Sequence, residues 1–248
     1  MTMERPCILL VPMLTELEWP IRPLLEEWAH VASYDAPGVG DEPAVSTPSS
    51  GATARRGLEE LDRTGWDGCI VVADEFGLAA AAEVAVGAGD RLRGIVLGHA
   101  RVSNSVDGPR AALNREVLSG IQNLIRADPR TFVHQLFRMT GGERTEGGYG
   151  DAMVDEWLRR VPIDVAEPFY DARVVEGETM AARLASLNVP MLLAQHRGCL
   201  MFTEEGFEDA VAVFPHAQVY RCDEKPSTSA DFVPVLREFC GSLATAPA

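Results

Sequence analysis

Apolar residues fall along this chain in two rhythms. Short, nearly unbroken runs occur at 7–12 ("CILLVP"), 30–34, 68–73 ("GCIVVA"), 94–98 ("GIVLG"), 189–194 ("VPMLLA") and 217–222 ("AQVYRC"), each bounded by turn residues. Runs of this length that are apolar on consecutive positions suit strands buried on both faces. Between them, apolar positions recur every third or fourth residue, which predicts helices near 20–28, 53–64, 76–87, 204–213 and 229–242. In the last of these, Phe232, Val233, Leu236 and Phe239 make one stripe that faces the sheet. The alternation predicts a three-layer α/β/α sandwich around a mostly parallel sheet.

One gap breaks the alternation. About ninety residues separate the run ending at Gly98 from the run starting at Val189, and they hold helical patterns ("PRAALNREVLSGIQNLI", "PRTFVHQLFRM", "YGDAMVDEWLRRV") but no strand signal. A right-handed crossover needs only about a dozen residues. The excess predicts a helical cap over 101–180, inserted into a core formed by 1–100 and 181–248. The Gly-rich, charged stretch "MTGGERTEGGYGD" (139–151) reads as a hinge within the cap, and 41–52 as a surface loop. The chain has no internal repeat.

Composition narrows the setting more than the chemistry. At 248 residues and 46% hydrophobic, the chain can bury a sizeable core as one domain with an insertion. Its start, "MTMERPC", lacks the basic and apolar pattern of a signal peptide, and no run reaches the roughly 18 apolar residues of a membrane span, so a cytoplasmic location is expected. Cys7, Cys69, Cys199, Cys222 and Cys240 are odd in number and scattered, which reads as reduced thiols. A formal charge of −15 opposes binding to nucleic acid or to anionic membranes. The partner class left is a small molecule, and a homodimer is left open.

The order of parts then resembles a known superfamily. "ILLVP", the Trp19 segment after it, "YDAPGVGDE", the strand-turn-helix "VVADEFG", a helical insertion and "VPMLLAQHRGCLMFTEEGFEDAVAVFPHAQV" follow the sequence of parts in the α/β-hydrolases. In that superfamily the nucleophile stands at the centre of a small-x-nucleophile-x-small elbow. Ala73-Asp74-Glu75-Phe76-Gly77 satisfies that steric rule, with Glu75 in the place of the usual serine. The resemblance places the acidic triad member in "QHRGC", at Cys199, and the histidine in "YRCDEKPSTS", at Pro226 or its neighbours. The triad positions read Glu, Cys and Pro. The oxyanion loop corresponds to Pro12 and Met13, with the backbone N–H groups of Leu14 and Phe76 as donors.

A serine hydrolase without its serine and base loses orders of magnitude in rate. A carboxylate elbow is similar to that of the dehalogenases and epoxide hydrolases of the superfamily, which use aspartate and need a histidine that "YRCDEKPSTS" lacks. Glu75 at a helix N-terminus under an apolar cap reads instead as a general acid or base. His99 and His196 each follow a strand, at the end of the sheet where open α/β folds place their sites, and His99 is the first expected partner of Glu75. Met13, Asp74 and Cys199 are expected to line the site. Asp74 is expected to cap the following helix or to bond a neighbouring loop.

His30, His134 and His216 read as surface residues. His196 and Cys199 form an H-x-x-C pair with no second cluster in the sequence, so no metal is expected, and neither "PGVG" nor "GAGD" has the setting of a nucleotide fingerprint, so no cofactor is expected. Trp19, Phe132, Phe137, Met139, Trp157, Phe169 and Tyr170 supply apolar surface for a flat or polycyclic ligand. The reading that results is non-hydrolytic acid-base chemistry (addition, cyclisation, elimination, or C–C bond formation or cleavage) on a hydrophobic small molecule, in a setting such as specialised metabolism. Two alternatives stand beside it: a catalytically silent binder of a small ligand or partner protein, and an atypical hydrolase that uses Glu75 with His99 or His196.

Overall fold

The computed structural model describes residues 5–100, 116, 120, 123–141, 151–197, 199 and 204–243. Six strands, β1 (Cys7–Val11), β2 (His30–Ser33), β3 (Cys69–Asp74), β4 (Leu92–Gly98), β5 (Met191–His196) and β6 (Gln218–Cys222), form one sheet in the order β2-β1-β3-β4-β5-β6. Every pairing is parallel. All six lie where the apolar runs place them, within about two residues. β5 is the informative offset: Pro190 cannot donate to the ladder, so the strand starts after it and runs on to His196.

Among the described residues the named helices are α1 (Arg22–Glu26), α2 (Ser50–Thr64), α3 (Leu78–Ala88), α4 (Pro129–Gly141), α5 (Asp151–Arg160), α6 (Ile163–Ala185), α7 (Glu204–Val213) and α8 (Phe232–Leu243), and residues 123–127 are helical as well. α2 starts three residues earlier than its apolar period indicates, because the Ser49 side chain accepts the Ala52 N–H at 3.2 Å as an N-cap. It stops at Gly65, whose φ of 68° no β-carbon-bearing residue adopts cheaply.

Alternating strand positions divide the core into two layers. Leu9, Val11, Val71, Ala73, Ile95, Leu97 and Leu193 face α2, α3, α7 and the end of α6. Ile8, Leu10, Ile70, Val72, Val96, Leu192 and Ala194 face the other way, against Leu25 of α1 and Phe232, Leu236 and Phe239 of α8. The stripe read from 229–242 is therefore core, as its spacing indicates. α3 is almost all alanine on its buried faces, so it lies close to the sheet and to α2.

A third cluster sits over the C-terminal ends of the strands. Phe132, Val133 and Leu136 of α4, Val154 and Trp157 of α5, and Val165 and Ala166 of α6 pack with Met13, Leu14, Val39 and Phe76. The proposed hinge falls mostly outside the described residues, as does most of the helical pattern at 109–125. Met180 and Leu184, near the end of α6, are packed in the sheet's core, and Arg183 pairs with Glu83 of α3 at 2.6 Å.

The loop after β2 is tied to the cap by charge. Arg160 at the end of α5 pairs with the buried Asp35 and with Glu16. Asp35 also accepts from Thr15 Oγ1 and the Glu16 N–H, each at 2.9 Å. Gly40, with φ 58°, donates its N–H to the Arg160 carbonyl at 2.9 Å, and a β-carbon there would run into the Asp35 carboxylate. Gly40→Ala should therefore cost about 1–3 kcal/mol of stability by urea unfolding. A change below about 0.5 kcal/mol, the range of a neutral surface substitution, would show that this turn adjusts without disturbing Arg160.

Candidate active site

The elbow is built by small residues on all sides. β3 ends at Asp74, and a single 3₁₀ turn, Glu75–Gly77, leads into α3. Glu75 takes φ 49°, the left-handed region, at a cost of about 1–2 kcal/mol for a residue with a β-carbon. A β-carbon on Gly77 would lie 3.0 Å from the Val11 carbonyl oxygen, and one on Gly98 would strike the Asp74 carboxylate. The steric rule read from Ala73 to Gly77 thus has a physical cause. The turn passes between β1 and β4 with no room to spare.

Glu75 is buried, and its Oε2 lies 2.9 Å from Lys225 Nζ, also buried. Its other oxygen, Oε1, has no hydrogen-bond partner among the described residues. Burial pushes the Glu75 carboxyl up; the Lys225 ammonium opposes this, and the charge of Asp74 adds to it. Glu75 is thus an acid paired with Lys225, and both residues line a cleft with Met13, Trp19, Leu136 and Phe137. The cleft and its open mouth together hold about 390 Å³ of space.

His99 is not paired with Glu75 as expected. Its Nδ1 lies 2.6 Å from Asp74 Oδ1, while Asp74 Oδ2 accepts the Ser227 N–H at 3.2 Å. The elbow sends the two adjacent carboxylates to different partners. Asp74 makes no helix cap and instead bonds the loop after β6. Burial alone would raise the Asp74 carboxyl, but the His99 charge and hydrogen bond, with Lys225 and Ser227, hold it well below its ordinary value. For His99 burial acts downward, and Asp74, a hydrogen bond with Cys199 and the charge of Glu75 overcome it, raising the imidazole to about 10.

His196 closes β5 rather than following it. Its ring stands edge-on to that of His99 with centroids 6.1 Å apart, and burial and the positive His99 both lower its pKa. Cys199 comes back to the same place, its N–H 3.4 Å from the His196 carbonyl oxygen.

One of the two N–H groups expected to face a substrate oxygen, that of Leu14, has a resident anion. The part-buried Glu18 carboxylate accepts from Met13 N (2.7 Å), Leu14 N (3.1 Å) and Thr15 N (3.2 Å). The Leu14 donor is therefore committed to Glu18. Phe76 is buried in the cluster below the cap. Burial dominates Glu18 and raises it from 4.5 to about 7, against the lowering effect of the three N–H donors and Lys225.

Of the apolar residues expected at the mouth, Trp19 and Phe137 line the cleft, while Phe132 and Trp157 lie in the cap's own core. The side chains of Met139, Phe169 and Tyr170 lie outside the described residues. His30 is exposed as expected, although it opens β2.

Lys225, Glu18 and Ser227 escaped the reading of the sequence. For Lys225 a signal exists: of the chain's 22 basic residues it is the single lysine, the other 21 being arginine. A compact ammonium in place of a guanidinium, one residue before Pro226, marks a position with particular demands. For Glu18 the signal is "TELE", the T-x-x-E spacing of a capping box, which the Thr15–Glu18 turn forms.

No family model matches the chain, and no curated protein matches it in sequence. Its fold, however, is shared with solved structures. A thermophilic esterase from Thermogutta terrifontis superposes with a TM-score of 0.77 at 17% identity, covering 98% of this chain and 91% of the esterase. A hydrolase from Oleispira antarctica gives 0.79 at 17% identity over 96% of this chain and 91% of that one. A bromoperoxidase from Bacillus anthracis gives 0.74 at 15% identity over 96% and 92%. The chain has the α/β-hydrolase fold. Among the described residues no helix is long and apolar enough to cross a membrane.

Proposed function

We propose that this chain is an enzyme that uses the α/β-hydrolase fold without a Ser-His-Asp triad, and that Glu75 moves a proton on a hydrophobic small molecule. The observation that carries this reading is the Glu75–Lys225 pair at the cleft: a buried carboxylate beside an ammonium, with one oxygen that has no hydrogen-bond partner among the described residues. A carboxyl raised by burial works as a general base closer to neutral pH. With Glu18 filling the N–H groups of the oxyanion loop, Lys225 is the group that meets negative charge developing on a substrate carbonyl oxygen. The reaction class is proton abstraction beside a carbonyl, with addition, elimination or ring closure as its outcomes. Trp19, Leu136 and Phe137 give the cleft its preference for apolar molecules.

The test is deuterium exchange. A panel of hydrophobic ketones and enones, incubated with the protein in heavy water and followed by NMR, should show catalytic exchange or rearrangement for a subset. Glu75→Gln should slow it by about 100-fold or more. Exchange that survives Glu75→Gln would remove the glutamate from the mechanism.

A second reading is favoured by Glu18, whose carboxylate occupies the donors that catalysis on this scaffold would use. A silent ligand-binding protein has no need of those donors. It would give saturable, stoichiometric protection by the same compounds with no exchange. The hydrolytic alternative, Glu75 with His99 or His196, predicts labelled oxygen from water in a carboxylate product. His99 bonds Asp74 in this arrangement, which leaves His196 as the histidine of that alternative.

A further inference from the structure

Beside the cleft lies a second cluster that the Glu75 chemistry does not use. β4 and β5 are neighbours, with Gly98 opposite Ala194, so the residue after β4 and the last residue of β5 emerge side by side. Those residues are His99 and His196, and the turn after β5 brings Cys199 back to them. One ligand atom from each of the three lies within 4.8 Å of the others. His99 and His196 are almost wholly buried, and Cys199 nearly so.

Two further features single this cluster out. His196 Nδ1 is buried with no hydrogen-bond partner among the described residues, which is costly for a polar atom. His99 presents Nδ1 to Asp74 Oδ1 at 2.6 Å, so any coordination by this ring falls to Nε2. A carboxylate behind a histidine in this way fixes the ring's tautomer and orientation, as outer-shell carboxylates do for metal-bound histidines.

We propose that His99, His196 and Cys199 form a binding site for one borderline-soft divalent cation of the zinc type, with Asp74 as the carboxylate behind His99. Two imidazole nitrogens and a thiolate are a donor set suited to such ions and poor for magnesium or calcium. Three protein ligands leave one coordination position for water or for a ligand reaching in from the cleft. Coordination releases to solvent the Nε2 proton of His99 and the thiol proton of Cys199, while the Nδ1 proton stays on His99, hydrogen-bonded to Asp74. The sequence alone shows only the H-x-x-C half of this set. The third ligand is 97 positions upstream of His196 and arrives through the pairing of β4 with β5.

The site stands apart from the reading of Glu75 and is tested without any substrate. The full-length protein, freed of metal with a chelator, is titrated with Co(II) as a spectroscopic stand-in for zinc. One Co(II) per chain should bind, with a sulfur-to-cobalt charge-transfer band that zinc then abolishes. Cys199→Ser should remove the band, and Asp74→Asn should weaken binding by about 10–100-fold. Cys222→Ser should leave both unchanged, because that thiol lies outside the cluster and donates to the Gln195 carbonyl at 3.3 Å. In the unaltered chain, zinc should also protect Cys199 from alkylation, read by mass spectrometry of its peptide. Failure to take up Co(II), a band that survives Cys199→Ser, or equal alkylation with and without zinc overturns the proposal.

Discussion

Lys225→Met should lower the unfolding free energy by about 3–5 kcal/mol near pH 8, equivalent to a fall in Tm of roughly 6–20 °C for a chain of this size. The substitution keeps the apolar stem and removes the charge 2.9 Å from Glu75. The carboxylate then loses its ion-pair partner in a site that water reaches poorly. Its pKa, already raised by burial and held back mainly by Lys225, rises further. The folded state of the variant therefore keeps a proton on Glu75 at pH values where the unfolded chain has lost it. Stability should fall as pH climbs through that range, so the deficit is smaller at pH 5 than at pH 8. Adding Glu75→Gln removes the stranded charge, and the double variant should recover most of the loss. Urea unfolding of both variants at the two pH values decides the matter. A double variant no more stable than Lys225→Met would place the lysine's contribution in some contact other than Glu75.

Glu18 should impose a slope on the stability of the native protein between about pH 4.5 and 7. Its folded pKa of about 7 lies above the ordinary 4.5, so over that interval the folded state binds a proton that the unfolded state releases. The contribution is complete below pH 4.5 and is lost as pH rises through 7. Its size follows from the shift at about 1.4 kcal/mol per pH unit, on the order of 3 kcal/mol. Glu18→Gln carries no titration in this window, so the difference between the two stability curves should slope by that amount. Parallel curves would mean that the three N–H donors from Met13, Leu14 and Thr15 hold the carboxyl near its ordinary value after all. The same variant weakens the resident anion's hold on those donors, so it also reports whether an added carboxylate ligand competes for them.

The sheet was legible because its signal is one-dimensional. A strand buried on both faces needs apolar residues at consecutive positions, and Cys69–Ala73 or Ile95–Leu97 can be little else. The elbow was legible for a similar reason, since Ala73, Gly77 and Gly98 are small where backbone and carboxylate crowd them. The pairing of charges was not. Asp74 and Glu75 are neighbours in the chain, and which of them takes His99 depends on how the elbow turns the two side chains, a matter settled by φ 49° at Glu75 rather than by spacing. Lys225 was missed by one position because the resemblance pointed to a residue of one type in a loop where another had taken its place. Glu18 was hidden by its ordinariness, for a glutamate three residues after a capping threonine usually serves only that cap, whereas this one also accepts the N–H groups of Met13 and Leu14.

The long insertion between β4 and β5 also sets an order in time. β2, β1, β3 and β4 all lie within the first hundred residues and are adjacent in the sheet, so they can pair while the rest of the chain is still being synthesised. β5 pairs with β4 only after 92 intervening residues have been gathered in, and parallel, sequence-distant pairings of that kind form slowly. Lys225 and Ser227 come later still, after β6. Glu75 therefore waits for its ammonium, and Asp74 for its Ser227 N–H, until the last strand has docked. A chain stopped before that event holds most of its strands and helices but no site, so recovery of secondary structure after dilution from denaturant should run ahead of recovery of binding.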